Sequence, residues 1–321
     1  MTAARLIAVE DASATGSLAL VPGVLVVGNF DGVHLGHQAV LGEAVSRARA
    51  LGLPAGVLTF QPHPAAVVGA GAPALLTTLE RRAELVGALG VERVYVRRFD
   101  AAFAAWQPER FARELVAQTL HARLVVVGEN FRFGAKRAGD LTLLRALGAE
   151  LGFEVLVHAA ASDARGPYSS TRARVAVVAG DLDEVRRVLG RPHALSGVVV
   201  HGDERGRTIG VPTANLGDVP ELLPPNGVYA VTVERYRDDL GAFHPLARGL
   251  TNIGVRPTVG GGGRLSVETY LLDFEGDLYD ARLRVHLVAR LRDEKKFGSL
   301  DELKAQIARD VASARTALET A

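Results

Sequence analysis

From residue 24 to residue 158 the chain alternates short apolar runs with longer stretches of helical periodicity. The runs are residues 24–28, 55–60, 92–96, 123–128 and 153–158. Each is mostly apolar from end to end, the pattern of a parallel strand covered on both faces. The stretches between them carry helix signals. In TTLERRAELVGALG, Thr77 stands three residues before Glu80, the spacing of a capping box, and Gly90 marks the stop. PERFARELVAQTL places Pro108 where a first turn tolerates it, and DLTLLRALGAELG runs from Asp140 to Gly152. Strand and helix in regular succession specify an α/β domain of the Rossmann-like, doubly wound kind. Its ligands bind beyond the carboxyl ends of the strands.

After Gly190 the rhythm changes. Turns recur every ten residues or so, in HGDERGR, PPNG, RDDLGA, VGGGGR and FEGD. Alternating strands lie between them. In LRVHLVARL, the residues Leu283, Val285, Leu287, Ala289 and Leu291 fall on one face, with Arg284, His286 and Arg290 on the other. Short strands at this spacing imply a small antiparallel β-barrel. Ser299 with Glu302 then opens a C-terminal helix. The expected domains are 1–188 and 189–321.

Composition narrows the function classes. No apolar run approaches the roughly 20 residues that span a bilayer, so no membrane partner is expected. The first residues have no apolar core ahead of a small-residue cleavage site, and the chain of 321 residues holds no cysteine. A cytoplasmic enzyme is the expectation. A net charge of +1 leaves no basic footprint for nucleic acid, and the pairs Arg81-Arg82 and Arg97-Arg98 read as solvated faces.

The first run ends in GNFDGVHLGH, which holds two of the chain's nine histidines. If a helix starts there, His34 and His37 share one face of its first turn, beside unpaired backbone N–H groups and the positive end of the helix dipole. Gly28, Gly32 and Gly36 let the backbone approach a phosphate, so the turn is an anion site. The glycine spacing departs from the dinucleotide fingerprint, and no third ligand stands nearby to make a zinc site. Three further segments follow strands. TFQPHP brings His63, GENFRFG brings Asn130 between charged and aromatic residues, and YSSTRAR brings Ser169, Ser170 and Arg174 at a helix start. Together they make a nucleotide site.

With these segments in this order, the first half resembles the adenylyltransferase module of prokaryotic bifunctional riboflavin kinase/FAD synthetases. The resemblance implies transfer of AMP from ATP to FMN, with His34 and His37 on the phosphates and Ser170 and Arg174 supporting them. Gly28, Asn29, Phe30, Asp31, Gly36, His63 and Asn130 are the further expected nucleotide contacts. Tyr168 and Ala173 stand where the family usually has aliphatic residues.

The second half carries chemistry of its own. GVVVHGDERGRTIGVPTANL offers Gly202, Gly206 and Gly210 as a phosphate cradle. Thr213 and Asn215, two apart on an extended segment, point oxygen ligands the same way, and such hard ligands with phosphates suit Mg²⁺. In LSVETYLL, Glu268 is an acid in an otherwise apolar strand. It is an exposed edge charge, or closes a salt bridge to an arginine, or takes a proton from a substrate hydroxyl.

PTAN, NGVYAV, TNIGVRPTVGG, VETYLLDFEGDLY and LRDEKKFGSLDELKAQI resemble the riboflavin kinase domain of the same enzymes. By that resemblance Thr213 and Asn215 bind Mg²⁺ and ATP, Glu268 is the general base on the riboflavin 5′-hydroxyl, and the loop around Arg292 closes over flavin. Asp280 stands where the family commonly has glycine. The implied pathway runs from riboflavin to FMN and then to FAD, in a monomer or weak oligomer. Adenylylation of another phosphorylated compound would not need a fused flavin kinase, and a regulator without catalysis would not keep His34, His37 and Glu268.

Overall fold

The computed structural model describes residues 4–9, 23–69, 71–202, 211–257 and 263–319. The chain divides into two compact units, Met1–Ser170 and Thr171–Ala321. The expected boundary at 188/189 instead assigns the helices α4 (Ser170–Ala179) and α5 (Leu182–Leu189) to the first domain.

The first unit is a six-stranded sheet. Its strands are β1 (Arg5–Val9), β2 (Gly23–Val27), β3 (Ala55–Gln61), β4 (Arg93–Arg98), β5 (Ala122–Gly128) and β6 (Glu154–His158), in the spatial order β1-β4-β3-β2-β5-β6. Every pairing is parallel. Alternate residues go to opposite faces, as the two-residue period of a strand requires. Val24 and Val26 join Val57, Val94 and Val126 under α1 (Leu35–Leu51), while Leu25 and Val27 join Leu58, Val125 and Val127 beneath Phe111, Leu115 and Leu144. Burying each such side chain contributes about 1.5–3 kcal/mol.

The helix α2 (Leu79–Ala88) begins one residue later than its sequence suggests. Thr78, not Thr77, accepts from the Arg81 N–H at 3.1 Å. The reason is that Thr77 is held by Asp31, as described below. After Pro108–Arg110 the chain winds as a π-helix over Phe111–Thr119, and the Leu120 N–H reaches back to the Leu115 carbonyl. Asp140 caps α3 (Leu141–Leu151), which stops at Gly152 in the left-handed conformation. The strand β1 was not expected. It lies at the sheet edge, where Arg5 and Leu6 are exposed, and its five residues RLIAV stand ahead of the regular alternation of strand and helix that begins at residue 24.

In the second unit six strands close into an antiparallel barrel. They are β7 (His193–Val200), β8 (Thr213–Gly217), β9 (Gly227–Arg237), β10 (Ala242–Pro257), β11 (Gly263–Leu271) and β12 (Arg282–Arg292), in the order β8-β11-β10-β9-β12-β7. Leu195, Leu216, Tyr229, Val231, Ile253, Val267, Leu283 and Val285 fill the interior. Outside, Val228, Ala230, Leu250 and Val288 pack on Ala314 and Leu318 of the C-terminal helix α6 (Leu300–Glu319). Ser299 opens this helix by accepting from the Glu302 N–H.

Strand β12 departs from simple alternation. Leu287 pairs with Val231 and Ala289 with Ala230, so Val288 is the extra residue of a bulge, and a second irregularity follows before Arg292. Ala289 and Leu291 therefore pack outside with α6 instead of continuing the interior face. Bulges of this kind re-aim side chains. Here Arg292 ends opposite Val228, on the outer wall.

Candidate functional site

In the first unit the strand order reverses at β2, between β3 and β5. A doubly wound sheet opens its ligand crevice at such a point. The β2–α1 loop is held there in an unusual backbone conformation, with φ of 52° at Phe30, 82° at Gly32 and 38° at Val33. A non-glycine residue in this region costs about 1–3 kcal/mol and persists only where its surroundings impose it. The imposing group is Asp31, only 2% exposed. Its carboxylate accepts from the Leu76 and Thr77 N–H groups and the Thr77 hydroxyl, which in turn accepts from the Gly32 N–H at 2.9 Å. The Arg82 guanidinium lies 3.7 Å from the same carboxylate, and Ser170 donates to the Asp31 carbonyl oxygen at 2.8 Å.

This anchoring presents the two histidines. His34 caps α1, its Nδ1 accepting from the His37 N–H at 3.3 Å, and the two rings stack at 3.6 Å. A neutral His34 then carries its proton on Nε2. Gly36 cannot be replaced without movement, because a Cβ there would lie 3.1 Å from the His34 ring and 3.2 Å from the Tyr168 carbonyl oxygen. His34, His37, Glu129, Asn130, His158 and Tyr168 line a cavity of about 240 Å³.

On the other side of Gly28 lies a larger cavity of about 670 Å³, walled by Phe60, Phe99, Phe103, Trp106, Phe131 and Phe133. Phe131 and Phe133 stack at 5.6 Å, and His63 reaches the Asn29 amide nitrogen at 3.1 Å. Flat aromatic walls of this kind suit a flat ring system. Val27, Gly28, Asn130 and Phe131 line both cavities, so ligands in the two would meet at Gly28.

The barrel's site lies on its outer wall. Register places Asn215, Glu268, Asn252, Val228 and Arg292 in one row across five neighbouring strands. The next row holds Thr213, Tyr270 and Leu250. All of these residues except Asn215, together with Phe297 and α6, line a cavity of about 320 Å³. A second cavity of about 590 Å³ begins at Thr213, Asn215 and Gly202 and runs to Phe274 and Tyr279, the latter stacked on His201 at 3.9 Å. Thr213 lines both.

Gly202 abuts Asn215, since a Cβ on it would fall 2.4 Å from the Asn215 amide nitrogen. Gly202→Ala is expected to push that amide aside and lower the rate of the reaction at this site by about 10²-fold, the usual cost of an ångström-scale misplacement. Steady-state kinetics of the barrel's reaction would show it, with the reaction of the first unit unchanged.

Two family models cover most of the chain, FAD synthetase over residues 19–172 and riboflavin kinase over residues 189–318. The bifunctional riboflavin kinase/FMN adenylyltransferase of Escherichia coli K12 is 43% identical over 293 residues, 91% of each chain. The chain belongs to this bifunctional family. The enzyme of the same name from Bacillus subtilis is 36% identical over 89% of this chain and 90% of its own. A crystal structure described as a macrolide-efflux protein from Streptococcus pneumoniae superposes with a TM-score of 0.84 at 30% identity, covering 97% of this chain and 98% of that one. Among the described residues, no helix is long and apolar enough to cross a membrane.

The expected family residues fall into place unevenly. His34, His37, Gly28, Gly36 and Asn130 line the histidine cavity, and Asn29 and His63 line the aromatic one. Phe30 packs its ring against Gly28. Asp31 is buried, and its carboxylate holds the loop through the Leu76 and Thr77 N–H groups. Arg174 falls beyond Ser170, in the second unit. Gly206 and Gly210 lie outside the described residues. Arg292 lines the outer-wall cavity, but its guanidinium grips Asp310 of α6 through Nε and Nη2 at 2.8–3.0 Å. Arg82 and Arg97 are not solvated, being 5% and 8% exposed; Arg97 lies over the Phe103 ring at 4.8 Å. Asp280 adopts a φ of 60°, the left-handed conformation for which glycine is the usual choice.

Some site residues were missed. Asn252 is apparent only from cross-strand register. Phe99, Phe103 and Trp106 could have been found from the aromatic cluster just after the β4 run.

Proposed function

We propose that the chain makes FAD from riboflavin in two ATP-dependent steps, with domain 189–321 phosphorylating riboflavin and domain 1–188 adenylylating the FMN. The observation that carries the reading is the wall shared at Gly28, where an aromatic cavity meets a histidine-lined one. Isoalloxazine fills the first and ATP the second. The FMN phosphate oxygen attacks the α-phosphorus, the bond to the β-phosphate breaks, and pyrophosphate leaves. His34, through Nε2–H, and His37 donate to the oxygens on which charge develops.

In the barrel, Glu268 takes the proton of the riboflavin 5′-hydroxyl as its oxygen attacks the γ-phosphorus, and ADP leaves. Riboflavin occupies the outer-wall cavity and ATP the neighbouring one, meeting at Thr213. Thr213 and Asn215 expose on one strand face the hard oxygens that Mg²⁺ takes, beside the carboxylate of Glu268 in register. They would hold the ion, which when bound draws charge from the transferring phosphate. Asn252, on the other side of Glu268, orients the same hydroxyl.

Incubation with riboflavin, ATP and Mg²⁺, followed by flavin separation, should yield FMN and then FAD, and a chelator should stop both. Absence of both flavins would overturn the reading. FMN alone would leave only the kinase step.

A further inference from the structure

His158 ends β6 and lines the histidine cavity, yet neither step described above uses it. Its Nδ1 lies 2.5 Å from the Glu43 carboxylate of α1, with the two side chains 24% and 31% exposed. A carboxylate at that distance accepts the Nδ1 proton, so a neutral ring keeps its Nε2 lone pair. With Nδ1 taken by Glu43, Nε2 is the nitrogen that the ring offers to a ligand in the cavity.

Its location selects the ligand group. Glu43 lies midway along α1, nine residues beyond the capping His34, about 13 Å along the axis at 1.5 Å per residue. The histidine pair at the helix start takes the phosphates, so Glu43 and its partner stand at the far end of an extended nucleotide. There the chain continues from His158 as Ala159, Ala160 and Ala161, which also line the cavity. Three alanines leave room for a flat base and bring no competing polar side chain.

We propose that the Glu43–His158 pair reads the base of ATP in the adenylylation step, with His158 Nε2 accepting a hydrogen bond from the adenine 6-amino group. A 6-oxo purine would set an acceptor against this acceptor. The pair is thus a specificity-determining device resting on the assignment of this cavity to ATP. Glu43 is a positioning residue, acting only through the ring of His158.

The test is FAD formation from supplied FMN with ATP, inosine triphosphate or 2′-deoxy-ATP. In His158→Ala the KM for ATP should rise about tenfold, the worth of roughly one hydrogen bond. The kcat should stay within about twofold, and the preference for ATP over inosine triphosphate should shrink by the same tenfold. Glu43→Ala should reproduce the change, and the double variant should add little to it. Undiminished riboflavin phosphorylation and retained maximal FAD formation certify folding. An unchanged ATP-to-inosine-triphosphate ratio overturns the proposal. So does a loss confined to the discrimination between ATP and 2′-deoxy-ATP, which would place the ring at the ribose. If His37→Ala left FAD formation intact, the assignment of the cavity itself would fail; if His37→Ala abolished it while His158→Ala changed nothing, only the base-reading role would.

Discussion

His37→Ala should lower FAD formation from FMN by about 10²–10³-fold, the effect of losing one donor to developing charge, while FMN formation from riboflavin keeps its rate. The side chain is well suited to so clean a test. His37 lies in the first turn of α1, stacked on His34 at 3.6 Å and 5.0 Å from the Phe30 ring. It contributes to the cap of α1 through its backbone N–H, which donates to His34 Nδ1. Alanine keeps that N–H and is a better helix former than histidine. The loop's anchors, Asp31, Thr77 and Ser170, are untouched by the change. The loss should therefore appear in kcat for FAD formation more than in the KM for FMN, because the aromatic cavity is walled by other residues. Single-turnover measurement of pyrophosphate release would separate the two. Wild-type FAD formation in a folded His37→Ala protein would remove the histidine pair from the mechanism.

How much of this was legible beforehand depended on how local the cause was. The five strands from β2 to β6 and their order along the chain could be read because each run is mostly apolar, although β6, at the sheet edge, is only partly buried; Asp140 and Gly152 bound α3 as expected. The meeting of His34 and His37 at the start of α1 follows from their spacing of three, but His34 stands as the cap, one residue before the first turn. The anchoring role of Asp31 could not be read, because its partners Leu76 and Thr77 are 45 and 46 residues away. Its place between Phe30 and Gly32 suggested a ligand contact, and only the tertiary fold turns the carboxylate inward. The same distance effect moved the cap of α2 from Thr77 to Thr78. Arg292 shows a different limit. The alternation of β12 breaks at Val288, and what Arg292 touches depends on bulges and on Asp310, which no local pattern reports.

Glu268→Gln should lower FMN formation by about 10²–10⁴-fold, the range for removal of a general base, and leave adenylylation of supplied FMN at full rate. Glutamine preserves size and can still accept a hydrogen bond, so what is lost is basicity. The neighbours make this separation interpretable. Asn215 and Asn252 flank Glu268 in register on β8 and β10, and both carry neutral amides. Neither can take over the proton. Asn252→Ala, by contrast, leaves the base in place and removes a group that orients the hydroxyl, so its effect should be smaller and fall on the KM for riboflavin as well as on kcat. Riboflavin fluorescence quenched on binding would show that the outer-wall cavity of Glu268→Gln still takes its ligand. If that variant bound riboflavin and phosphorylated it at the wild-type rate, the proton would have to leave without Glu268. The reading of Glu268 as a structural strand charge would then stand.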